Sequence, residues 1–455
     1  MASKSQVNMC EGPITRQLLT FAIPVLLTTI CQALFNTADL IVVGKFSGNS
    51  NALAAVGATS SVTVLLTSLF NGLSLGAGIC VSNYFGAKDK KSLENCAHTG
   101  IILSVIIGFT VMMLGFLLSK PLLLLLNTPA EIIDKSILYL KIYFISSFFG
   151  IIYNFCAALL RAVGDSKRCF YYIASSGVLN VLLNILFVTH FKLDVAGVAW
   201  ATVISTACSA FLALSYIMRF DGWVRIIPSK LKLDLFQLKL IAKIGVPIGL
   251  QSTCYSISSM LVQSAINTLG MDAVGGNTAA TNIGNYVYFA MNCICSACST
   301  FAAQNYGAKN FTRIKKSALI STSIVTATGV FLGVILNIFS NFFLGLYTNV
   351  PGEIELGKIR LLFFTLPYFL YGLIDLYGAF LKGMKRAFSV LIISLSGICA
   401  IRIIWILTVF EHFRTPQALY SSYTVSWIIT LSVILAVFIY VFKKEAKRHP
   451  LDLQH

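Results

Sequence analysis

Asp39 and Asp375 are the only acidic residues well inside the long apolar stretches of this sequence. A carboxylate in hydrocarbon costs several kcal/mol unless a cavity or a partner offsets it. Gln32, Asn36 and Asp39 recur at helical spacing, so the three polar side chains share one face of a helix. A face this polar is not expected to contact lipid. Asp39 is therefore the leading candidate for binding a proton or a cation.

Two later apolar stretches carry further polar side chains. Asn180 and Asn184 are four residues apart and share a helix face, and Thr202 lies in the next stretch. Amide and hydroxyl oxygens are hard ligands that suit Na⁺, and they also hydrogen-bond a protonated carboxyl group. The alternative is that they only join helices. We expect a site for H⁺, or for Na⁺ at Asp39, Asn180 and Thr202, with Asn36 beside it, and no other metal, cofactor or catalytic group.

The second half of the sequence offers a different pattern. Asp375 has no amide neighbour on its own helix face, and Arg402, one apolar stretch later, could neutralise it. An ion pair with a structural role and a functional site both fit this pattern. Gln263 lies on a polar stripe of the seventh stretch, which indicates that this half also faces water or a solute.

The chain as a whole has too little polar surface for a soluble protein. Of its 455 residues 57% are hydrophobic and 11% charged, and the mean hydropathy is +0.81. A helix needs about 20 apolar residues to cross about 30 Å of hydrocarbon. The twelve predicted spans are 18–43, 53–80, 97–118, 138–160, 170–190, 196–218, 240–268, 278–302, 318–346, 361–381, 389–410 and 418–442.

The positive charge alternates along the chain. The net charge is +17, and 25 of the 34 Lys and Arg residues fall in the two termini and in every second loop. Seven lie in the loops of the opposite side, among them Lys358 and Arg360. This alternation indicates a lipid bilayer rather than nucleic acid as the partner, and the positive-inside rule predicts that both termini are cytoplasmic.

The sequence repeats itself after about 221 residues. Residues 83–89 (NYFGAKD) correspond to 305–310 (NYGAKN), and 158–161 (ALLR) to 379–382 (AFLK). Each half has six predicted spans, an even number, so the two repeats are parallel. Paired repeats in a bilayer usually enclose a pathway, which predicts a transporter and not an enzyme.

The predicted domains are an amino-terminal lobe, 1–218, a cytoplasmic linker, 219–239, and a carboxyl-terminal lobe with a short cytoplasmic tail, 240–455. Neither Gly44-Lys45 nor Gly357-Lys358 completes a phosphate-binding loop. Transport must therefore draw on an ion gradient, a partner subunit or the gradient of the substrate itself. The main alternative is a flippase for a lipid-linked sugar or another lipid, although Arg402 is the only basic residue deep in a span.

Several segments resemble the multidrug and toxic compound extrusion (MATE) family. They are 38–44 (ADLIVVG), 52–57 (ALAAVG), the two Gly-Ala-Lys loops and 160–167 (LRAVGDSK). The resemblance implies twelve transmembrane helices in two six-helix lobes around a cleft that opens alternately to either side. It also implies export of organic compounds, amphipathic or cationic, in exchange for H⁺ or Na⁺, by a monomer in a bacterial plasma membrane. Of the two ions we expect H⁺, because a single carboxylate remains at the site.

The resemblance also assigns roles to residues. Asp39 matches the first-helix aspartate that family members protonate or use to bind a cation. Asn180 and Thr202 match the fifth-helix asparagine and the sixth-helix hydroxyl of the same site. Gln32 and Asn154 fall where relatives line the substrate chamber.

The sequence departs from the family pattern at three positions. Asn184 replaces an aspartate found in many relatives, and Tyr255 and Tyr371 stand where some branches have the acidic residues of a Na⁺ site. A carboxyl-lobe Na⁺ site of that design is not expected, and Tyr255, Gln263, Tyr371 and Asp375 are predicted to face substrate. With one carboxylate left, the simplest mechanism is that protonation of Asp39 rearranges the amides and expels the solute.

Overall fold

The computed structural model describes residues 7–46, 50–125, 128–219 and 222–448. These ranges contain a short 3₁₀ turn, Pro228–Lys230, and no β-strand. Their helices are α1 Ile14–Phe46, α2 Ser50–Gly86, α3 Lys90–Leu125, α4 Ala130–Ala162, α5 Ser166–His190, α6 Asp194–Arg219, α7 Leu235–Asn267, α8 Met271–Gly307, α9 Phe311–Ile338, α10 Ser340–Gly345, α11 Pro351–Phe364, α12 Tyr368–Gly383, α13 Ala387–Phe413 and α14 Pro416–Arg448.

Each of the twelve predicted spans coincides with one of these helices or with two consecutive ones. Within the described ranges, nine helices are long and apolar enough to cross a membrane, or ten if α11 and α12 form one broken span. The prediction of an all-helical membrane protein is confirmed. Helix α5 ends in a π-helical turn, and α13 contains two.

The predicted start of the span at 361–381 is wrong. Helix α11 begins ten residues earlier at Pro351, whose fixed φ suits the first turn of a helix. The helix breaks before α12 at Pro367, which lacks an N–H donor, and the two helices meet at 44°. Arg360, predicted to lie in a loop, is therefore inside α11 and only 4% exposed.

By packing, the described chain forms two units. Among the described residues, the first comprises 7–8 and 23–249, and the second comprises Met9–Ala22 and 250–448. Both α1 and α7 thus change unit within two or three residues of an internal proline, Pro24 in α1 and Pro247 in α7. The lobe and linker boundaries inferred from the sequence stay a prediction.

The segment Met9–Ala22 is held inside the second unit by hydrogen bonds. Asn305 donates to the Met9 carbonyl at 3.0 Å, and Arg313 donates to the carbonyls of Met9 and Gly12 at 3.2 and 3.0 Å. Met9 is fully buried. The start of α1 is therefore anchored by residues about 300 positions later in the sequence.

Helix α4 is the centre of the first unit and packs against α2, α3 and α6. Gly108 and Gly115, two turns apart on α3, lie against the rings of Phe148 and Phe144 of α4. Since no side chain projects from these glycines, the two helices approach closely. In the second unit, α8 packs against α9, α11 and α12, and α14 packs against α11 and α12.

The sequence repeat is also a structural repeat. Lys88 and Lys309 both adopt a left-handed conformation, with φ of 57° and 59°. The next residues, Asp89 and Asn310, each cap the following helix, because each side chain accepts from the backbone N–H three positions later at 3.1 Å. The predicted duplication is confirmed, since equivalent sequence builds the same turn twice.

Candidate functional site

A close contact joins α1 to α5 in the first unit. The ring of Phe35 occupies the place that a Cβ of Gly177 would take. One turn beyond Phe35, Asp39 meets Asn184, which lies two turns beyond Gly177. The absence of a side chain at residue 177 therefore lets the carboxylate reach α5.

A chain of hydrogen bonds runs from Asp39 through α5 to α6. The Nδ2 group of Asn184 donates to Asp39 Oδ1 and also to Asn180 Oδ1, the latter at 3.1 Å. Asn180 Nδ2 donates to Ser205 Oγ at 3.3 Å, and Ser205 Oγ donates to the carbonyl of Thr202 at 3.1 Å. Asn184 is fully buried and Asn180 nearly so. The structure therefore brings together three of the five residues predicted to bind the ion.

The carbonyl oxygen of Asn184 is a buried acceptor without a hydrogen-bond partner. Leaving such a group unpaired costs about 1–3 kcal/mol. It lies beside the Asp39 carboxylate, so it is placed to accept from a protonated carboxyl group or to coordinate a cation. The described residues contain no group of three or more His, Cys, Asp or Glu that could hold a metal ion. The oxygens present suit a proton or an alkali cation.

The side chains of two predicted members of this site lie outside the chain of hydrogen bonds. The Thr202 hydroxyl donates to its own helix, at the Val198 carbonyl, 2.9 Å away. Asn36 is exposed, because α1 meets α5 through Phe35 and Asp39 and the residue after Phe35 points about 100° away from it. Gln32, predicted to contact substrate, is also exposed on α1.

Two tyrosines near Asp39 were missed by the sequence reasoning. Tyr139 and Tyr143, one turn apart on α4, stack with ring centroids 5.9 Å apart, and both phenol groups are within electrostatic range of Asp39. Tyr139 belongs to a buried cluster that also contains Val42 and Val198. The feature of the sequence that could have revealed them is the spacing of four residues, which puts the two tyrosines on one helix face. Tyr139 and Tyr143 therefore lie near the carboxylate and pack with buried aliphatic side chains.

Asn154, predicted to line the substrate chamber, joins two helices of the first unit. Its Nδ2 group donates to the side chain of Asn71 on α2 at 2.9 Å. Asn71 is a further polar residue that the sequence reasoning missed. The backbone carbonyl of Asn71 accepts from the Ser74 hydroxyl at 2.7 Å.

The second unit contains a partly open cavity of about 260 Å³. Its walls include Tyr255, Gln263 and Tyr371, three of the residues predicted to contact substrate. Gln263 is fixed by accepting from Asn277 at 3.1 Å and donating to Asn267 at 2.9 Å. The structure therefore gathers these three residues around one space.

The ion pair considered between Asp375 and Arg402 is wrong for the part of the chain that the structure describes. Asp375 accepts from Asn292 Nδ2 at 2.9 Å, and it borders a smaller space outside the cavity. Arg402 Nε donates to Ser426 at 3.3 Å, and its guanidinium lies 4.2 Å from the ring centroid of Tyr423. Arg402 therefore contacts α14, whereas Asp375 is hydrogen-bonded to Asn292 of α8.

Taken together, the duplicated helical fold and the polar groups held inside its apolar helices define the class of membrane transporters. The chain belongs to the MatE family, whose model matches residues 24–186 and 247–407. The all-helical, two-repeat fold that the sequence resemblance implies is thereby confirmed.

Relatives and solved structures extend over almost the whole chain. It is 27% identical to the probable multidrug resistance protein YoeA of Bacillus subtilis, over 95% of each chain. It is 22% identical to the multidrug export protein MepA of Staphylococcus aureus, over 94% of each chain. Among solved structures, an outward-facing multidrug resistance MATE transporter of the MOP superfamily superposes with a TM-score of 0.91 at 20% identity, covering 98% of this chain and 100% of that one. A MATE in a bent conformation gives 0.90 at 21%, with the same coverage.

Proposed function

We propose that this protein is a secondary antiporter that exports organic compounds, amphipathic or cationic, in exchange for protons. Asp39 is the coupling group in this proposal. The observation that carries it is the half-satisfied Asn184 amide beside the carboxylate, which offers an acceptor to an incoming proton. Family membership and the multidrug names of the relatives support the choice of substrate class. The matches do not support the flippase alternative.

Proton uptake would rewire the hydrogen bonds. An ionised Asp39 accepts from Asn184 Nδ2, whereas a protonated Asp39 must itself donate. Asn184 Oδ1 is the neighbouring acceptor, and a turn of the amide that presents this oxygen withdraws Nδ2 from Asn180. Asn180 is then no longer held by Asn184, and its hydrogen bond to Ser205 of α6 is weakened. Protonation would thus alter how α1, α5 and α6 are tied together, and alternating access would follow from that difference between the two states.

Protons are preferred over Na⁺ because the chain of hydrogen bonds contains one carboxylate. One pH unit supplies about 1.4 kcal/mol per proton, and 100 mV supplies about 2.3 kcal/mol per charge moved. For an uncharged solute these contributions together come to about 3.7 kcal/mol, so one proton could support a gradient of more than a hundredfold. The proposal also places both termini in the cytoplasm and a monomer in the plasma membrane.

The residues proposed to contact substrate remain those of the sequence interpretation. They are Gln32, Asn154, Tyr255, Gln263, Tyr371 and Asp375. The exposure of Gln32 is compatible with this role.

Ethidium efflux from proteoliposomes tests the coupling. A pH gradient and a Na⁺ gradient are applied separately to the native protein, to Asp39→Asn and to Asp134→Asn, an exposed aspartate of the same unit. We expect efflux under the pH gradient only, lost in Asp39→Asn and retained in Asp134→Asn. Efflux that survives Asp39→Asn would refute the role of Asp39. Efflux under the Na⁺ gradient alone would show that the coupling ion is wrong.

A further inference from the structure

Two arginines are buried in the cavity of the second unit. Arg360 on α11 is 4% exposed and Arg402 on α13 is 6% exposed, and both line the 260 Å³ space. A cation in the interior of a membrane protein is costly and usually marks a functional site. The proposed antiport through Asp39 makes no use of either residue.

Neither arginine has a carboxylate partner among the described residues. The Nε and Nη1 groups of Arg360 are buried without any hydrogen-bond partner. Arg402 donates from Nε to the neutral hydroxyl of Ser426. The titratable groups that act on Arg402 include the phenols of Tyr255, Tyr371 and Tyr423 and the guanidinium of Arg360. Two like charges therefore face the same space without a compensating anion.

Aromatic rings surround both guanidinium groups. The guanidinium carbon of Arg360 lies 3.9 Å from the ring centroid of Phe364 and 4.5 Å from that of Tyr423. The guanidinium carbon of Arg402 lies 4.2 Å from the ring centroid of Tyr423 and 5.9 Å from that of Trp427. Cation–π contacts offset part of the cost of burying a cation, but they satisfy none of its N–H donors. Aromatic rings thus form part of the cavity wall, and the unpaired donors of Arg360 lie beside them.

We propose that this cavity binds an organic anion, namely a small aromatic carboxylate or sulfonate. An acid group accepts two parallel hydrogen bonds from a guanidinium, and it would satisfy the donors that Arg360 leaves free. The aromatic part of the ligand would pack against the rings of Tyr371, Phe364 and Trp427, which line the same space. Tyr255, Gln263 and Tyr371, which are proposed to contact the exported solute, line this same cavity. The inference therefore rests on the proposed function and narrows its amphipathic solutes to compounds with an acid group, which the antiporter proposal does not specify.

Isothermal titration of the purified full-length protein in detergent, with no ion gradient, tests this site. The probes are salicylate, the cation benzamidine and the neutral benzamide, which have similar size and one ring each. The variants are Arg360→Gln and Arg402→Gln, with Arg414→Gln as the control. Arg414 belongs to the same unit but is exposed and pairs with Glu411.

We expect salicylate to bind the native protein and Arg414→Gln at one site, and each cavity variant to bind about tenfold or more weakly. Benzamidine and benzamide should not compete. Since loss of a buried charge can alter folding, Arg402→Met serves as a second variant that keeps apolar volume in its place. It should elute as a monodisperse species and bind salicylate as weakly as Arg402→Gln.

Three results would overturn the inference: no salicylate binding to the native protein, equal affinity for benzamidine, or equal affinity in the folded Arg402→Met variant. The experiment is independent of coupling, because Asp39→Asn should bind salicylate as the native protein does. A failure of antiport and a failure of the anion site are therefore distinguished.

Discussion

Asn184 gives the Asp39 site its chemical character because one amide serves two neighbours. Its N–H group is shared between Asp39 and Asn180, while its carbonyl oxygen has no partner. An ionised carboxylate at this position would offer acceptors and no donor. The amide instead presents a donor to an ionised Asp39 and an acceptor to a protonated one, so it suits both states of a proton carrier.

We predict that transport depends on the hydroxyl group of Ser205 more than on that of Thr202. Ser205→Ala removes the acceptor of Asn180 and one net hydrogen bond, worth about 1 kcal/mol, so ethidium efflux under a pH gradient should slow about fivefold. Thr202→Val removes only a bond to the helix's own backbone and should leave the rate nearly unchanged. Initial efflux rates at equal protein density measure the difference. A larger loss in Thr202→Val would contradict this assignment and support the family resemblance instead.

The sequence predicts this site in part. Asp39, Asn180 and Asn184 are recognisable because polar residues at helical spacing cannot face lipid. Ser205 is not, because a serine in an apolar helix usually bonds its own backbone, and only the neighbouring α5 shows that it also accepts from Asn180. Arg360 was missed for another reason: the partners that bury it, Phe364 and Tyr423, are aromatic rather than acidic.

At the scale of elements, the contact between α1 and α5 determines whether the carboxylate meets its amide. Phe35 fills the space above Gly177, and the bond from Asn184 to Asp39 lies farther along the same two helices. A side chain at residue 177 would separate the helices or displace the ring. Packing at one glycine thus controls a hydrogen bond two turns away.

Gly177→Ala is predicted to destabilise the protein and to uncouple transport. The added methyl group overlaps the ring of Phe35, and overpacking of this kind costs about 1–3 kcal/mol. Gly150→Ala is the matched control, because its Cβ would meet Thr206 Cγ2 at an ordinary 3.6 Å. Thermal unfolding in detergent and ethidium efflux should both be impaired in the first variant only.

A second substitution, at Phe35, tests whether overlap with its ring causes the loss in Gly177→Ala. In the double variant Gly177→Ala with Phe35→Leu, the smaller side chain makes room for the methyl group, and we expect stability and efflux to recover in part. If Phe35→Leu gives no recovery, the contact with the ring is not the reason for the loss.

Element boundaries were predicted where apolar runs end, and α11 shows the limit of that rule. Its first turns carry Glu353, Glu355 and Lys358, so a search for apolar residues begins the span at 361. Backbone hydrogen bonding does not require apolar side chains, and Pro351 starts the helix earlier. The helices themselves were predictable from their apolar length, whereas the position of this charged start was not.

At the scale of the whole molecule, the charge alternation makes a prediction about orientation. A green fluorescent protein fused after the carboxyl terminus should fluoresce in bacteria, and an alkaline phosphatase fused there should be inactive, because both termini are predicted to be cytoplasmic. A phosphatase fused after Lys192, between α5 and α6, should be active. Active phosphatase at the carboxyl terminus would contradict the orientation and the count of crossings.

The duplication was visible in the sequence, but the exchange of helix segments was not. Identical turns at Lys88 and Lys309 follow from local sequence, which also places Pro24 and Pro247 at similar positions in α1 and α7. That each helix belongs to both units depends on packing across hundreds of residues. No local pattern encodes such a contact.

The anchoring of Met9–Ala22 has a consequence for biosynthesis. The ribosome makes this segment well before its partner, because Asn305, which donates to the Met9 carbonyl, follows 296 residues later. At about 5–20 residues per second, the segment waits roughly 15–60 s for its partner. During that time the beginning of α1 lacks these native contacts, so its packing can be completed only after the second half of the chain has been made.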